Sequence, residues 1–326
     1  MRVISHDMPG SPASGNPVLA EAVRSGFTES RHHGAVAALN ADGSFAFTLG
    51  AAETPVFPRS SNKPAQAVGM VRAGLSLGGE LLALAAASHS GEDFHVDGVR
   101  KILAGAGLTE DALQCPPSLP GDERTARRLI RASDEPESRV RFNCSGKHAA
   151  MLATCVVNGW PTRTYLDPEH PLQRVIKDTV EELAAEPVTA VGVDGCGAPL
   201  FALTLAGLAR SFRALVLAAP GTPERKVADA FRAHPAWTSG TERDERKLMD
   251  AVPGLFLKAG AEGVNAFALP DGRAAALKID DGTARARTPV TVAILRALGA
   301  EPPEELAAAA VMGGGRRAGE IIAVPL

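Results

Sequence analysis

Strand-type patterning is concentrated at the two ends of this chain, and a long, mostly helical block separates them. Near the start, GAVAALN (34–40) and SFAFTLG (44–50) flank Ala41-Asp42-Gly43, and apolar runs around an Asp-Gly turn spell a hairpin. Near the end, GLFLKAG (254–260), GVNAFALP (263–270) and RAAALKID (273–280) read as three short strands, with EIIAVPL as a final edge strand. Between about residues 60 and 250 apolar residues recur at helical spacing. The clearest cases are GGELLALAAAS (78–88), VDGVRKILAGAG (96–107), GKHAAMLATCVVN (146–158), LQRVIKDTVEELA (172–184), FALTLAGLARSFRAL (201–215) and PERKVADAFRA (223–233). VTAVGVDG (188–195) reads as one buried strand or an extended segment ending in glycine, and TPVTVAILRALGA (288–300) as a helix after the strands.

That order has a simple topological solution. A hairpin from one end and a meander from the other pair into one antiparallel sheet, with the helical block inserted between them. The expectation is an α+β fold of one unit with two interleaved lobes. The sheet lobe takes about residues 1–59 and 253–326, the helical lobe about 60–252, and a cleft forms where they meet. A doubly wound nucleotide fold would need alternating strands and helices with a glycine-rich turn. No G-x-G-x-x-G and no P-loop occurs; the cluster Met312-Gly313-Gly314-Gly315-Arg316-Arg317 follows a helical run and reads as a mobile turn.

Composition narrows the partners. A net charge of −3 gives no electrostatic reason to bind nucleic acid, and 4% aromatic residues offer few stacking platforms. A small polar substrate is the better match. The N-terminal MRVISHDMPGSPASGNPVLAEAV lacks the build of a secretory signal, and no apolar run reaches the roughly 18 residues of a membrane span. The expectation is a cytoplasmic protein. Its four cysteines, Cys115, Cys144, Cys155 and Cys196, are then reduced thiols.

Chemistry enters with Ser60-Ser61-Asn62-Lys63, an S-x-x-K pattern. A serine hydroxyl needs a group to take its proton, and a lysine one helical turn away serves if its pKa is lowered. The plain alternative is an N-capping serine with a solvated lysine. Pro64 disfavours a helical conformation at Lys63 and places the pair in a turn before the helix. Two further segments support a site. Ser88-His89-Ser90-Gly91-Glu92 closes an apolar helix, and Lys258-Ala259-Gly260 ends a strand. The order S-x-x-K, S-H-S-G, K-A-G parallels the S-x-x-K, S-D-N, K-T-G series of acyl-serine enzymes. Either Ser88 or Ser90 fits the middle position.

A third constellation is Asn143-Cys144-Ser145-Gly146-Lys147-His148 with Asp194-Gly195-Cys196. Two thiolates with an amine or imidazole suit zinc better than magnesium. Two unrelated buried thiols remain the alternative. Cys155 lies mid-helix and reads as a small core hydrophobe, while Cys115 has no partner motif. The remaining histidines, His32 and His33 among them, read as polar surface or local structure.

ESRHHGAVAALNADG, PRSSNKPAQA, ASHSGEDFH, FNCSGKHAAML, VDGCGAPLFALTLAGLARSF, LKAGAEGV and ALKIDDG together resemble the asparaginase II family of rhizobial type, the third structural class of L-asparaginases. The resemblance runs from about residue 28 to 300, and FNCSGKHA with VDGCGAP is its most specific part. It implies a serine β-lactamase-like or glutaminase-like fold, a homodimer, and hydrolysis of L-asparagine to L-aspartate and ammonia. It implies two serine–lysine pairs, Ser60 with Lys63 and Ser90 with Lys258, Ser88 competing for the second. Arg59, His148 and Asp194 would place the substrate, and Cys144, Lys147 and Cys196 would hold a zinc ion. K-A-G stands where K-T-G is the family pattern, TERDERKLMDA (241–251) is unusually charged, and residues 301–326 match only loosely. The expected reaction is covalent amide hydrolysis in which Ser60, or alternatively the second serine, attacks the side-chain amide. The rivals are another acyl-serine enzyme acting on glutamine or β-lactams, and a non-catalytic amino-acid or zinc-binding protein.

Overall fold

The computed structural model describes residues 15–326. Three strands open the described chain: β1 (Val18–Arg24), β2 (Phe27–Leu39) and β3 (Phe45–Leu49). The helices α1 (Lys63–Arg72), α2 (Gly79–Ala85), α3 (Asp93–Gly105), α4 (Glu123–Ala132), α5 (Ser145–Val157) and α6 (Pro171–Ala184) follow. A small hairpin, β4 (Val191–Val193) and β5 (Pro199–Phe201), precedes α7 (Leu205–Leu217), α8 (Pro223–Ala233), α9 (Pro235–Thr238) and α10 (Asp244–Ala251). The chain ends with β6 (Phe256–Ala259), β7 (Val264–Ala268), β8 (Ala274–Ile279), α11 (Arg287–Ala297), β9 (Ala308–Gly313) and β10 (Arg316–Ala323).

Both ends of the chain build one eight-stranded sheet in the order β6-β7-β8-β2-β1-β10-β9, with β3 also pairing β2. Every pairing is antiparallel. The long β2 makes this possible: residues 27–33 pair with β1, and residues 34–39 pair with β8 and β3. Ala41-Asp42-Gly43 turns the chain as the sequence predicts, with Asp42 Oδ1 accepting from the Ser44 amide at 2.9 Å. All residues of β6 and β7 are buried, because α7 and α11 both pack on this part of the sheet. A strand covered on both faces reads as a continuous apolar run, which explains why GLFLKAG and GVNAFALP lack alternation.

Several expectations are corrected. VTAVGVDG is not a buried strand: only Val191–Val193 is extended, it pairs with β5 alone, and Val193 is 78% exposed. EIIAVPL is not an edge, since β10 lies between β1 and β9, and β9 is the edge strand. The Gly313–Arg316 segment follows a strand, not a helix; it is the turn joining β9 to β10. The alanine run before it favours helix intrinsically, but pairing along β10 overrides that weak preference. The strand β1 and the helix α4 have no counterpart in the periodicity reading. Helix α4 is almost wholly exposed and starts on an Asp122 cap, whose carboxylate accepts from the Thr125 amide at 2.7 Å. His32 is no surface residue either: it is buried in β2 with Nδ1 2.6 Å from Asp281 Oδ2. Among the described residues no helix is long and apolar enough to cross a membrane.

Candidate active site

Ser60 sits in a single 3₁₀ turn, Arg59–Asn62, that feeds directly into α1, and Lys63 is the first helical residue. Pro64 follows at the start of the helix, where its missing N–H costs nothing. Arg59 holds φ +52°, a left-handed conformation that a non-glycine side chain adopts at a cost of about 1–3 kcal/mol. The Arg59 guanidinium is tied down by Asp194, with Nε donating to Oδ1 at 2.8 Å, and by Glu262 at 3.5 Å. The strained turn is thus clamped from two sides, and it presents Ser60 to a cavity.

Strand β6 brings Lys258 to the same place. Its extension, Gly260, passes so close to the Ser60 turn that a Cβ there would lie 2.6 Å from the Pro58 carbonyl oxygen and 3.2 Å from the Ser61 nitrogen. Only glycine permits this approach, which gives the K-A-G pattern its physical reason. The Ser88 segment arrives from the end of α2, held by the Ser88 amide donating to the Thr238 carbonyl and the His89 amide donating to the Asn143 carbonyl, each at 3.1 Å. His89 adds a side-chain tie. Its Nδ1 accepts from the Gly91 amide at 3.1 Å, so Nε2 carries the proton and donates to Ser145 Oγ at 2.9 Å. Ser145 in turn donates to the Val140 carbonyl at 2.7 Å. The serine segment is thereby pinned to the start of α5.

The hydroxyl of Ser88 is the centre of the arrangement. Lys63 Nζ and Lys258 Nζ each lie 2.9 Å from Ser88 Oγ. Lys63 also donates to the Ala87 carbonyl at 2.5 Å and contacts Cys144 Sγ at 3.1 Å, three acceptors for the three N–H of an ammonium. Lys258 donates to the Ala259 carbonyl at 2.6 Å. Burial, then the positive charge of Lys63, pushes the Lys258 amine well below the ordinary lysine range. One amine of the pair is therefore disposed to be neutral, the state a base requires.

Two expected pairs are not formed as expected. The Lys63 amine meets Ser88, not Ser60, whose hydroxyl makes no hydrogen bond among the described residues. The hydroxyl of Ser90 does not meet Lys258; it donates to Glu92 Oε1 at 2.6 Å, so the competing Ser88 occupies the place beside Lys258. Ser60, Ser88 and Lys258 line one cavity of about 220 Å³. That lies below the roughly 300–1,000 Å³ of drug-sized sites and suits a small substrate. A larger cavity of about 420 Å³ opens beside Arg59, but none of Ser60, Ser88, Lys63 or Lys258 lines it.

His148 and Asp194 do not line the serine cavity. His148 is fully buried in α5 with Nδ1 2.7 Å from the Tyr165 hydroxyl, and Asp194 faces Arg59. Burial alone would push the Asp194 carboxyl up, but Lys147 and Arg59 hold it below the usual carboxylate range. Both belong with the thiols. Lys147 Nζ contacts Cys196 Sγ at 3.3 Å, and Cys196 Sγ lies 3.7 Å from Asp194 Oδ2. Cys196, then Lys63 and Lys147, bring the Cys144 thiol down to about 5 against the effect of burial. Burial opposes the charged form of Lys147, yet Cys196, Cys144 and Asp194 together push it up to about 12. Within this buried cluster Cys144 is thus pushed toward the thiolate and Lys147 toward the ammonium, while its bond to Cys144 and burial push the Cys196 thiol up.

Comparison with known proteins decides the family. The L-asparaginase II family profile matches residues 20–322. The chain belongs to that family. A comparison with curated proteins gives no sequence match. Among solved structures, Mglu in its tris and glutamate form is similar, with 15% sequence identity and a TM-score of 0.34 over 87% of this chain and 62% of that one. This chain thus spans less than two thirds of the length of that protein.

The family resemblance implies zinc at Cys144, Lys147 and Cys196. Among the described residues no group of three or more His, Cys, Asp and Glu side chains is arranged to hold a metal ion, so the implied set depends on the Lys147 amine as its third donor. The donor chemistry fits. Two buried sulfurs and an amine converge, and the buried Nε2 of His148, which makes no N or O hydrogen bond among the described residues, lies beside Cys196. Soft sulfur and nitrogen donors suit zinc, and Lys147 would give up its proton on binding.

Proposed function

We propose that the protein is an L-asparaginase in which Ser60 attacks the side-chain amide carbonyl of L-asparagine and Ser88, with its two lysines, moves the proton. The observation that carries this reading is the Ser88 hydroxyl held between Lys63 and Lys258 at 2.9 Å each, in the cavity that Ser60 borders. Ser60 suits the nucleophile because its hydroxyl is unengaged and reachable. Ser88 suits a relay because both of its neighbours are amines.

The balance of the reaction follows. As Ser60 Oγ bonds to the amide carbon, its proton passes through Ser88 to the neutral Lys258. The tetrahedral oxyanion needs donors, and the backbone N–H groups of Ser60 and Ala261, two residues that line the cavity, would supply them. A donor of this kind contributes typically about 3–4 kcal/mol to the barrier reduction. Collapse breaks the carbon–nitrogen bond while the proton held on Lys258 returns through Ser88 to the leaving nitrogen, which departs as ammonia. Water then attacks the β-aspartyl ester, its proton follows the same path, and L-aspartate leaves with Ser60 restored. Cys144, Lys147 and Cys196 would hold zinc, which when bound would fix both sulfurs as thiolates in the wall against which Lys63 rests.

A coupled ammonia assay with L-asparagine and L-glutamine, run beside a chromogenic β-lactam, tests the substrate. Preferred release of ammonia from L-asparagine supports the proposal. Preferred turnover of glutamine or of the lactam reassigns the substrate, and no turnover of any of the three overturns the amidohydrolase reading for this site.

A further inference from the structure

The start of α10 turns two opposite charges toward the reaction cavity. Arg243, the residue before the helix, and Glu245 both line it, as does Arg287. The cationic groups differ in what already engages them. Arg287 donates from Nη1 to the Gly260 carbonyl at 2.9 Å and from Nη2 to Glu245 Oε1 at 3.1 Å. Lys258 is held by Ser88 and the Ala259 carbonyl. Arg59 is bound to Asp194 and lines the other cavity. The Arg243 guanidinium alone among these makes no hydrogen bond or ion pair with the described residues. Its Nη2 lies 3.0 Å from where a Cβ on residue 121 would stand, so Gly121 leaves it room.

Glu245 supplies the complementary charge. Its side chain is largely buried, and burial would push the carboxyl up, but Arg287, its own backbone amide, Lys258 and Arg243 keep it below the ordinary range. The cavity wall therefore carries an unengaged guanidinium and a carboxylate two residues apart, facing a serine–lysine centre. A free α-amino acid presents the matching set: a carboxylate, an ammonium and, two or three bonds away, a side-chain amide. Guanidinium–carboxylate pairing is directional and charge-assisted.

We propose that Arg243 receives the substrate α-carboxylate and Glu245 its α-ammonium, so that the cavity selects free amino-acid amides over the same amide within a peptide. This rests on the reading of the cavity as an amidohydrolase site. It also gives the charged segment TERDERKLMDA a role and moves substrate placement from Arg59 and Asp194 to α10.

The test compares wild type with Arg243→Gln and Arg243→Lys on L-asparagine and its α-methyl ester, with calorimetric binding of L-aspartate as a readout independent of turnover. Expected for Arg243→Gln is a KM for L-asparagine raised roughly 10- to 100-fold and aspartate affinity weakened to a similar extent. On the ester the change stays under about threefold, and Arg243→Lys restores part of the loss. Glu245→Gln is expected to lose discrimination against N-acetyl-asparagine. An unchanged KM and aspartate affinity in Arg243→Gln overturns the assignment, and so does an equal loss on acid and ester. Should wild type release ammonia from no amide, the amidohydrolase reading fails, yet the aspartate titration still decides whether Arg243 receives a carboxylate.

Discussion

Replacing Ser88 by alanine removes the one oxygen that both buried amines share, while replacing Ser90, two residues on, leaves that oxygen in place. The two variants therefore separate chemistry from packing. Without Ser88, proton transfer to and from the reacting amide loses its path, and positioned acid–base groups typically contribute 10²–10⁴-fold. The expected fall in kcat is of that order, about 3–5 kcal/mol in barrier height. Stability should change little, because Lys63 keeps the Ala87 carbonyl and Cys144, and Lys258 keeps the Ala259 carbonyl. Ser90→Ala behaves oppositely. It deletes a part-buried hydrogen bond of 2.6 Å to Glu92, worth about 1.5–3 kcal/mol for a charged partner. Melting temperature should fall by several degrees while kcat holds within about threefold. Steady-state ammonia release with thermal denaturation of both variants is the assay. A fully active Ser88→Ala, or an inactive Ser90→Ala of normal stability, would refute the reasoning.

Gly260→Ala places a methyl group 2.6 Å from the Pro58 carbonyl oxygen, so the Ser60 turn must shift; overpacking of this kind costs about 1–3 kcal/mol, and chemical denaturation should show that loss together with a larger loss of kcat. The Lys258 amine, depressed by burial and Lys63, should produce a one-proton acid limb in kcat/KM that reaches its plateau below the ordinary lysine value of about 10.4; activity still climbing at that pH would contradict the assignment. His95 is buried and its imidazole lowered to about 4 by desolvation. From an unfolded value of about 6.5, the unfolded chain takes up a proton that the native state refuses, so stability present above that pH is lost as pH falls toward about 4. The loss is about 3 kcal/mol, and His95→Phe should flatten this part of a denaturation series measured against pH.

The fold was legible because its pattern lies in the order of periodicities. A hairpin before the helical block and a meander after it have one economical way to pair, and the sheet β7-β8-β2-β3 is that pairing. β9 was hidden because Ala308–Gly313 is alanine-rich, and its state is decided by β10 across a turn. At the site, Ser60, Lys63 and Lys258 were visible from motif and order, and Ser88 stood as the alternative to Ser90 beside Lys258, but the meeting of Lys63 with Ser88 was not visible. Lys63 and Ser88 are 25 positions apart, and Ser88 and Lys258 are 170 apart. Ser88 and Ser90 look alike in a segment written S-H-S; what separates them is Glu92, two residues beyond Ser90, which captures the second hydroxyl locally. A serine followed two positions later by a glutamate was the available signal. Arg243 and Glu245 were visible only as excess charge in TERDERKLMDA, because cavity lining is a tertiary property.

The central claim is that Ser60 becomes covalently acylated while Ser88 carries protons. Turnover of a slowly hydrolysed β-aspartyl ester, quenched in acid and followed by intact-mass and peptide-mapping spectrometry, tests it most directly. Expected is an aspartyl adduct on the peptide containing Ser60, absent from Ser60→Ala and still formed, slowly, by Ser88→Ala. An adduct on Ser88, or sustained turnover by Ser60→Ala, would contradict it.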